Sequence, residues 1–83
     1  MDITVTLRFF SGLEKEINIH DYNPSTGVTL TVKKGTRLRK ILKELELPHI
    51  TSNAYFKEGE RMGTWSKVKD GDEISVLRPS GGG

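Results

Sequence analysis

The most unusual candidate for a reactive group in this sequence is its C-terminal end. The last six residues read RPSGGG, so Gly81, Gly82 and Gly83 close the chain. Short glycine tails are common at chain ends, where they are frayed or have been added. A working tail that reaches into a partner is the other interpretation, and the preceding sequence must decide between the two.

Other reactive chemistry finds little support in the residue types. The chain has no cysteine, which excludes a disulfide framework, a thiolate metal site and a cysteine nucleophile. His20 and His49 lie far apart, without carboxylates at ligand spacing, so we expect neither a metal site nor acid–base catalysis. The acidic residues near the turns form no pair that suggests a catalytic dyad. They are Glu58, Glu60, Asp70, Asp72 and Glu73. The residue types therefore indicate no catalytic residue.

Length and composition indicate one small domain. Of the 83 residues, 34% are hydrophobic and 29% are charged, which is ordinary for a globular domain. The net charge of +2 is small and both signs are spread along the chain, so we expect no binding to nucleic acid or to membranes. No apolar run approaches the roughly 20 residues that cross a bilayer. The absence of cysteine fits a reducing compartment, and we expect a cytoplasmic protein.

Three segments alternate apolar and polar residues, which is typical of half-buried strands. The first covers 3–9 and leaves Phe10 on the opposite face. Its core-facing residues would be Ile3, Val5, Leu7 and Phe9. The segments 16–20 and 28–32 alternate in the same way. They flank a stretch rich in turn-forming residues that ends at Gly27, so the sequence predicts a hairpin between them.

The clearest helix follows Gly35. Thr36 is a good N-cap, and the apolar residues Leu38, Ile41, Leu42 and Leu45 then form one stripe along three turns. Pro48 disfavours further helix, so the helix should end at 47–48.

The rest of the chain predicts two more strands. A short strand covers 54–56, and a loop then carries Met62 and Trp65, with Trp65 as a partial cap on the core. The last strand follows a DGD turn and points Ile74 and Val76 inward, while Leu77 points outward.

The order strand, strand, helix, strand, strand predicts an α+β fold with one helix packed on one face of a small mixed sheet. If the first and last strands are central and parallel, this is a β-grasp. We expect a domain over 1–78 and a flexible glycine tail over 79–83.

This combination resembles the ubiquitin-like sulfur carriers, which include the small subunit of molybdopterin synthase and the thiamine-pathway sulfur carrier. The resemblance is carried by GTRLRKIL, by VKDGDEISVL and by the terminal glycines. The family ends on two glycines, whereas this chain ends on three, and its segment 16–27 is longer than usual. The length and the opening LRFFSGLEKE favour the molybdopterin-type member.

The resemblance implies that the protein is not itself an enzyme but a cosubstrate, and that its tail has a function. A partner enzyme of the ubiquitin-activating type would adenylate the C-terminal carboxylate with ATP and convert it to a thiocarboxylate. That carboxylate belongs to Gly83, or to Gly82 if the third glycine is not native, while Gly81 and Gly82 thread into the partner. A larger synthase subunit or another sulfur-accepting synthase would receive the sulfur. No cofactor would be bound by the carrier itself. There are two alternatives. One is a protein modifier that is joined to lysines through the same glycine, and the other is a binding module with an inert tail.

Two surfaces are candidates for partner contacts. Phe10 and Leu77 are apolar, out of phase with their strands and close to the tail, so with Arg78 and Pro79 they could form the partner interface. Scattered exposed apolar residues are equally ordinary. A basic run precedes and opens the helix, and it consists of Lys33, Lys34, Arg37, Arg39 and Lys40. It is interpreted as a solvated face, with docking of an acidic partner as the alternative.

Overall fold

The computed structural model describes residues 1–10, 12–15, 22–23 and 25–78. Five strands and one α-helix are present in these ranges, and two short 3-10 turns connect some of them. In chain order they are β1 (Asp2–Phe9), the turn Leu13–Lys15, β2 (Val28–Lys33), α1 (Leu38–Glu44), the turn Ile50–Ser52, β3 (Ala54–Lys57), β4 (Glu60–Met62) and β5 (Glu73–Leu77).

The five strands form one sheet in the order β2-β1-β5-β3-β4. The first and last strands, β1 and β5, are parallel neighbours in the middle of the sheet, with Phe9 opposite Val76. All the other neighbouring strands are antiparallel. The predicted central parallel pair is therefore confirmed, and it determines where the chain leaves the domain.

The core lies between one face of the sheet and the helix. Alternate residues of β1, from Ile3 to Phe9, are buried, and so are Ile74 and Val76 of β5. The predicted helical stripe packs against them. Its members are Leu38, Ile41, Leu42 and Leu45. The core-facing residues predicted from the alternation in the strands and from the helical spacing in α1 are confirmed.

The start of the helix differs from the prediction. Arg37, not Thr36, is the N-cap, and it makes no side-chain capping bond. Thr36 instead donates its hydroxyl to the carbonyl of Lys33 at 2.6 Å. The first helical N–H groups are already satisfied by the loop beside them, since those of Leu38 and Arg39 donate to the carbonyls of residues 66 and 64. A capping side chain is therefore not needed.

The helix also ends earlier than predicted, at Glu44 rather than at 47–48. Glu46 adopts a left-handed conformation, with φ of 59°, and its N–H donates to the carbonyl of Lys43. The N–H of Leu47 reaches back to the carbonyl of Leu42 at 3.1 Å. These two bonds form a Schellman motif, which stops the helix before Pro48 imposes its own restriction.

Three further expectations from the sequence concern the hairpin arm at 16–20, the region of β4 and Trp65. The first arm of the predicted hairpin, 16–20, lies outside the described residues, and the described partner of β2 is β1. The strand β4 was missed, because its three residues show no clear alternation. Trp65 was predicted to cap the core, and this is wrong. Its side chain is 62% exposed and lies against Arg39.

No helix in the described part of the chain is long and apolar enough to span a membrane.

Candidate functional site

The candidate site lies on the sheet face that does not carry the helix, at the end where β5 leads toward the tail. Phe10 follows the buried Phe9, and its N–H donates to the carbonyl of Val76 at 2.9 Å. This bond continues the parallel register of β1 and β5 by one residue and sets Phe10 beside Leu77. The structure thus brings together the two out-of-phase apolar residues that the sequence singled out.

Strand β3 extends this apolar surface. Ala54 is paired with Leu77, and Phe56 is paired with Ser75. Because Tyr55 points into the core, its neighbours in the strand face the other way. We call the resulting surface the open-face patch. It consists of Phe10, Ala54, Phe56 and Leu77.

The open-face patch is accessible. Phe10 is 42% exposed, and the other three residues are partly exposed. Phe56 and Leu77 are not among the described apolar residues that form the core or pack against it. The exposed parts of their side chains are thus available to a partner.

Sequence reasoning missed Ala54 and Phe56 as members of the patch. The signal was present for Phe56, because a strand that buries Tyr55 must turn the next side chain outward. The sequence does not indicate that Ala54 and Phe56 lie near Leu77, because only the pairing of β3 with β5 brings them together.

Charged pairs lie next to the patch on the same sheet. Arg8 contacts Glu73 at 3.2 Å, and Lys57 contacts Asp72 at 3.5 Å. The first pair is largely exposed, so it contributes little to stability. Arg8 lies two residues before Phe10 and therefore on the same face of the sheet. The open face thus has a charged region around Arg8 and an apolar region around Phe10.

The end of β1 is fixed by Tyr22. The N–H of Phe9 donates to the Tyr22 hydroxyl at 2.7 Å, and that hydroxyl donates to the Phe9 carbonyl at 3.3 Å. The two rings pack edge to face, with centroids 5.9 Å apart. Since the ladder with β2 ends at Leu7, Tyr22 replaces a strand partner and holds the backbone that presents Phe10.

The remaining predicted site residues lie at or beyond the end of β5. Arg78 follows Leu77 and is exposed. Pro79, Gly81, Gly82 and Gly83 lie outside the described residues, so their roles stay predictions. Within the described ranges, no three side chains from His, Cys, Asp and Glu are grouped so that they could hold a metal ion.

The sheet order and the single helix define the class of fold. A small mixed sheet with a central parallel pair of terminal strands, covered on one face by a helix, is a β-grasp. The fold predicted from the sequence is thus confirmed.

Several solved structures are similar to this chain, and they include those of a Haloferax volcanii protein and a Pyrococcus furiosus protein. The solution structure of the HVO 2177 protein of Haloferax volcanii matches with a TM-score of 0.72 and 20% identity, over 99% of this chain and 88% of that one. A Pyrococcus furiosus protein provisionally named molybdopterin converting factor, subunit 1, matches with a TM-score of 0.66 and 15% identity, over 93% of this chain and 98% of that one. No protein-family model matches the chain, and no curated protein does. At these identities the similarity establishes the fold.

Proposed function

We propose that this protein is a sulfur carrier whose C-terminal glycine carboxylate is adenylated by a partner enzyme and then converted to a thiocarboxylate. The observation that carries the proposal is the parallel pair β1–β5. It sets an accessible apolar patch beside the end of the strand that leads into the glycine tail. The surface proposed for docking therefore lies at Leu77 and Arg78, the last described residues before the proposed reactive tail.

The chemistry follows from the absence of cysteine. Without a thiol, the chain cannot hold a persulfide on a side chain, which leaves the terminal carboxylate as the sulfur site. A carboxylate oxygen attacks the α-phosphate of ATP and releases pyrophosphate, which gives an acyl adenylate. Sulfide then attacks the carbonyl carbon and displaces AMP. If a partner's persulfide attacks instead, a further thiol must reduce the resulting disulfide bond.

The carrier acts as a cosubstrate rather than as a catalyst, and its partners are an adenylating enzyme and a sulfur-accepting synthase, both in the cytoplasm. The similar Pyrococcus protein, by its name, favours molybdopterin synthesis as the destination of the sulfur. A thiamine-type pathway would use the same carrier chemistry.

The test is intact mass spectrometry after incubation with the host's adenylating enzyme, ATP and a sulfur source. The expected result is replacement of one C-terminal oxygen by sulfur. Covalent adducts on lysines of other proteins would instead identify a protein modifier. An unchanged mass with a demonstrably active enzyme would overturn both functions and leave a binding module with an inert tail.

The third glycine can be tested separately by deletion of Gly83. If Gly83 carries the carboxylate, the shortened chain should lose thiocarboxylate formation. Retained formation would assign the working end to Gly82.

A further inference from the structure

A second surface lies at the opposite end of the sheet from Leu77 and Arg78. Because β5 runs parallel to β1, the chain leaves β5 at the end where β1 finishes. Lys34, whose N–H donates to the Met1 carbonyl at 2.8 Å, lies at the start of β1. A strand of this length spans roughly 26 Å, so the two ends are separate surfaces.

This second surface carries a cluster of cations around an exposed tryptophan. A pocket of about 380 Å³ is lined by Lys34, Arg37, Arg39, Lys40 and Trp65, together with Gly35 and Thr36. None of these lining residues is acidic. We call the four cations and Trp65 the basic cluster.

The cations of the basic cluster are not neutralised by the described carboxylates. The two ion pairs found among the described residues use Arg8 and Lys57 instead. The N–H groups at the start of the helix are occupied by the carbonyls of residues 64 and 66. An anionic ligand would therefore be bound by side chains, not by the helix terminus.

Trp65 is held in place although it is exposed. The Arg37 guanidinium donates to its carbonyl at 2.6 Å, and the Arg39 guanidinium lies 4.1 Å from the centre of its ring. The indole nevertheless remains 62% exposed. A large apolar side chain fixed at the surface among cations is typical of a contact residue.

An apolar pocket of about 400 Å³ adjoins the basic cluster and shares Lys34 and Gly35 with it. Its apolar lining comes from Met1, Ile3 and Val68, and its other basic residues are Lys67 and Lys69. One carboxylate, that of Asp70, also lines it. This carboxylate accepts the N–H of Thr4 at 2.8 Å and so is already used within the fold.

We propose that this end of the molecule docks an acidic segment of a partner protein that carries an apolar side chain. The lysines and arginines match the acidic residues, and the adjoining pocket takes the apolar side chain. Single-stranded nucleic acid fits less well, because it needs free aromatic faces for its bases. Arg39 covers one face of Trp65, and the adjoining pocket is aliphatic. The site goes beyond the sulfur chemistry and does not depend on it.

The probe is a short synthetic peptide in which two leucines are flanked by glutamates. Trp65 is the chain's one tryptophan, so its fluorescence reports binding at this surface. The peptide should shift that fluorescence at low salt. Lys34→Glu combined with Lys40→Glu should weaken binding by about tenfold, since each exposed charge pair contributes modestly.

The matched control is Lys15→Glu, compared with Lys34→Glu alone. It makes the same change of net charge on an exposed lysine in the turn that follows β1, at the other end of the sheet. At about 0.1 M salt the control should leave affinity within about twofold, because charges more than about 10 Å apart are largely screened, whereas Lys34→Glu should weaken binding by about threefold. Equal losses in these two single variants would overturn the proposal. Absence of peptide binding at low salt, or tighter binding of oligothymidylate, would do the same. A peptide with serines in place of the leucines must bind more weakly, and equal binding would remove the apolar pocket from the site.

Discussion

Gly27 shows how a single residue constrains the fold. It has a φ of 74°, as expected where a turn leads into β2 and left-handed backbone favours glycine. A Cβ at this position would lie 2.5 Å from the carbonyl oxygen of Leu7 in β1. The glycine is thus required both by its backbone conformation and by the close approach of the neighbouring strand.

These two requirements can be separated by experiment. Gly35 has a φ of 91°, but a Cβ there would meet no atom within 4 Å. Gly35→Ala should therefore cost only the left-handed strain, about 1–2 kcal/mol. Gly27→Ala should lower the free energy of unfolding by about 1–3 kcal/mol more. Urea denaturation measures both values, and equal losses would contradict the steric interpretation.

Tyr55 is the residue whose ionisation should affect stability. Its ring is buried, and its hydroxyl donates to the carbonyl of Ile50 at 2.7 Å. Burial raises the pKa of Tyr55, and the neighbouring Asn53 side chain offsets part of that rise. The folded protein consequently keeps this phenol protonated at pH values where the unfolded chain ionises it.

The sign of the effect follows from proton linkage. Above about pH 10, the usual pKa of tyrosine, the unfolded chain releases the proton while the folded one retains it. The wild type should therefore lose stability as pH rises through this range. Tyr55→Phe should cost about 1 kcal/mol at neutral pH through the lost hydrogen bond. Its deficit should shrink above about pH 10, and a constant deficit in denaturation experiments would be inconsistent with the raised pKa.

At the scale of elements, the pairing of β5 with both β1 and β3 assembles the candidate interface. Each strand contributes one or two apolar side chains to the open face, and none of the strands carries the whole patch. Leu77 is central because its neighbours on either side are Phe10 and Ala54. It lies outside the core cluster, so we expect the domain to keep its fold when Leu77 is changed.

Leu77→Asp should weaken binding to the adenylating enzyme by about tenfold or more, as expected for a central interface residue. Calorimetric titration measures the affinity, and circular dichroism checks the fold. Thr31→Asp is the control, because it adds the same charge at an exposed position on β2, away from the patch. Unchanged affinity in the Leu77 variant would remove Leu77 from the interface.

At the scale of the whole molecule, the β-grasp separates two surfaces of different character. The open-face patch lies at the tail end of the sheet, and the basic cluster lies near the start of β1. If both proposals hold, one partner can engage the patch and tail while another segment occupies the basic cluster. The double variant Lys34→Glu and Lys40→Glu should then still form the thiocarboxylate.

Much of the fold could be predicted because it depends on local periodicity. The alternation in β1 predicts which residues are buried, since the backbone of a strand turns successive side chains to opposite faces. The stripe from Leu38 to Leu45 does the same for the helix. The open-face patch was predicted in part, because Phe10 and Leu77 break the phase of their own strands.

Two of the errors arose where a distant segment supplies the partner. Thr36 was expected to cap the helix, but the loop at residues 64–66 satisfies the first N–H groups instead. Trp65 was expected on the core, but Arg37 and Arg39 hold it at the surface. Neither contact leaves a sign in the nearby sequence.

The sequence by itself determined the inward and outward faces of the main elements, because side-chain direction follows from the local backbone. It also determined that cysteine chemistry is absent. Only the tertiary structure decided that Ala54 and Phe56 join Phe10 and Leu77, and that Trp65 lies among cations. These arrangements depend on contacts between residues far apart in the chain, such as the pairing of Ala54 with Leu77. Such contacts form only when the strands pair, and local periodicity does not specify which strands become neighbours.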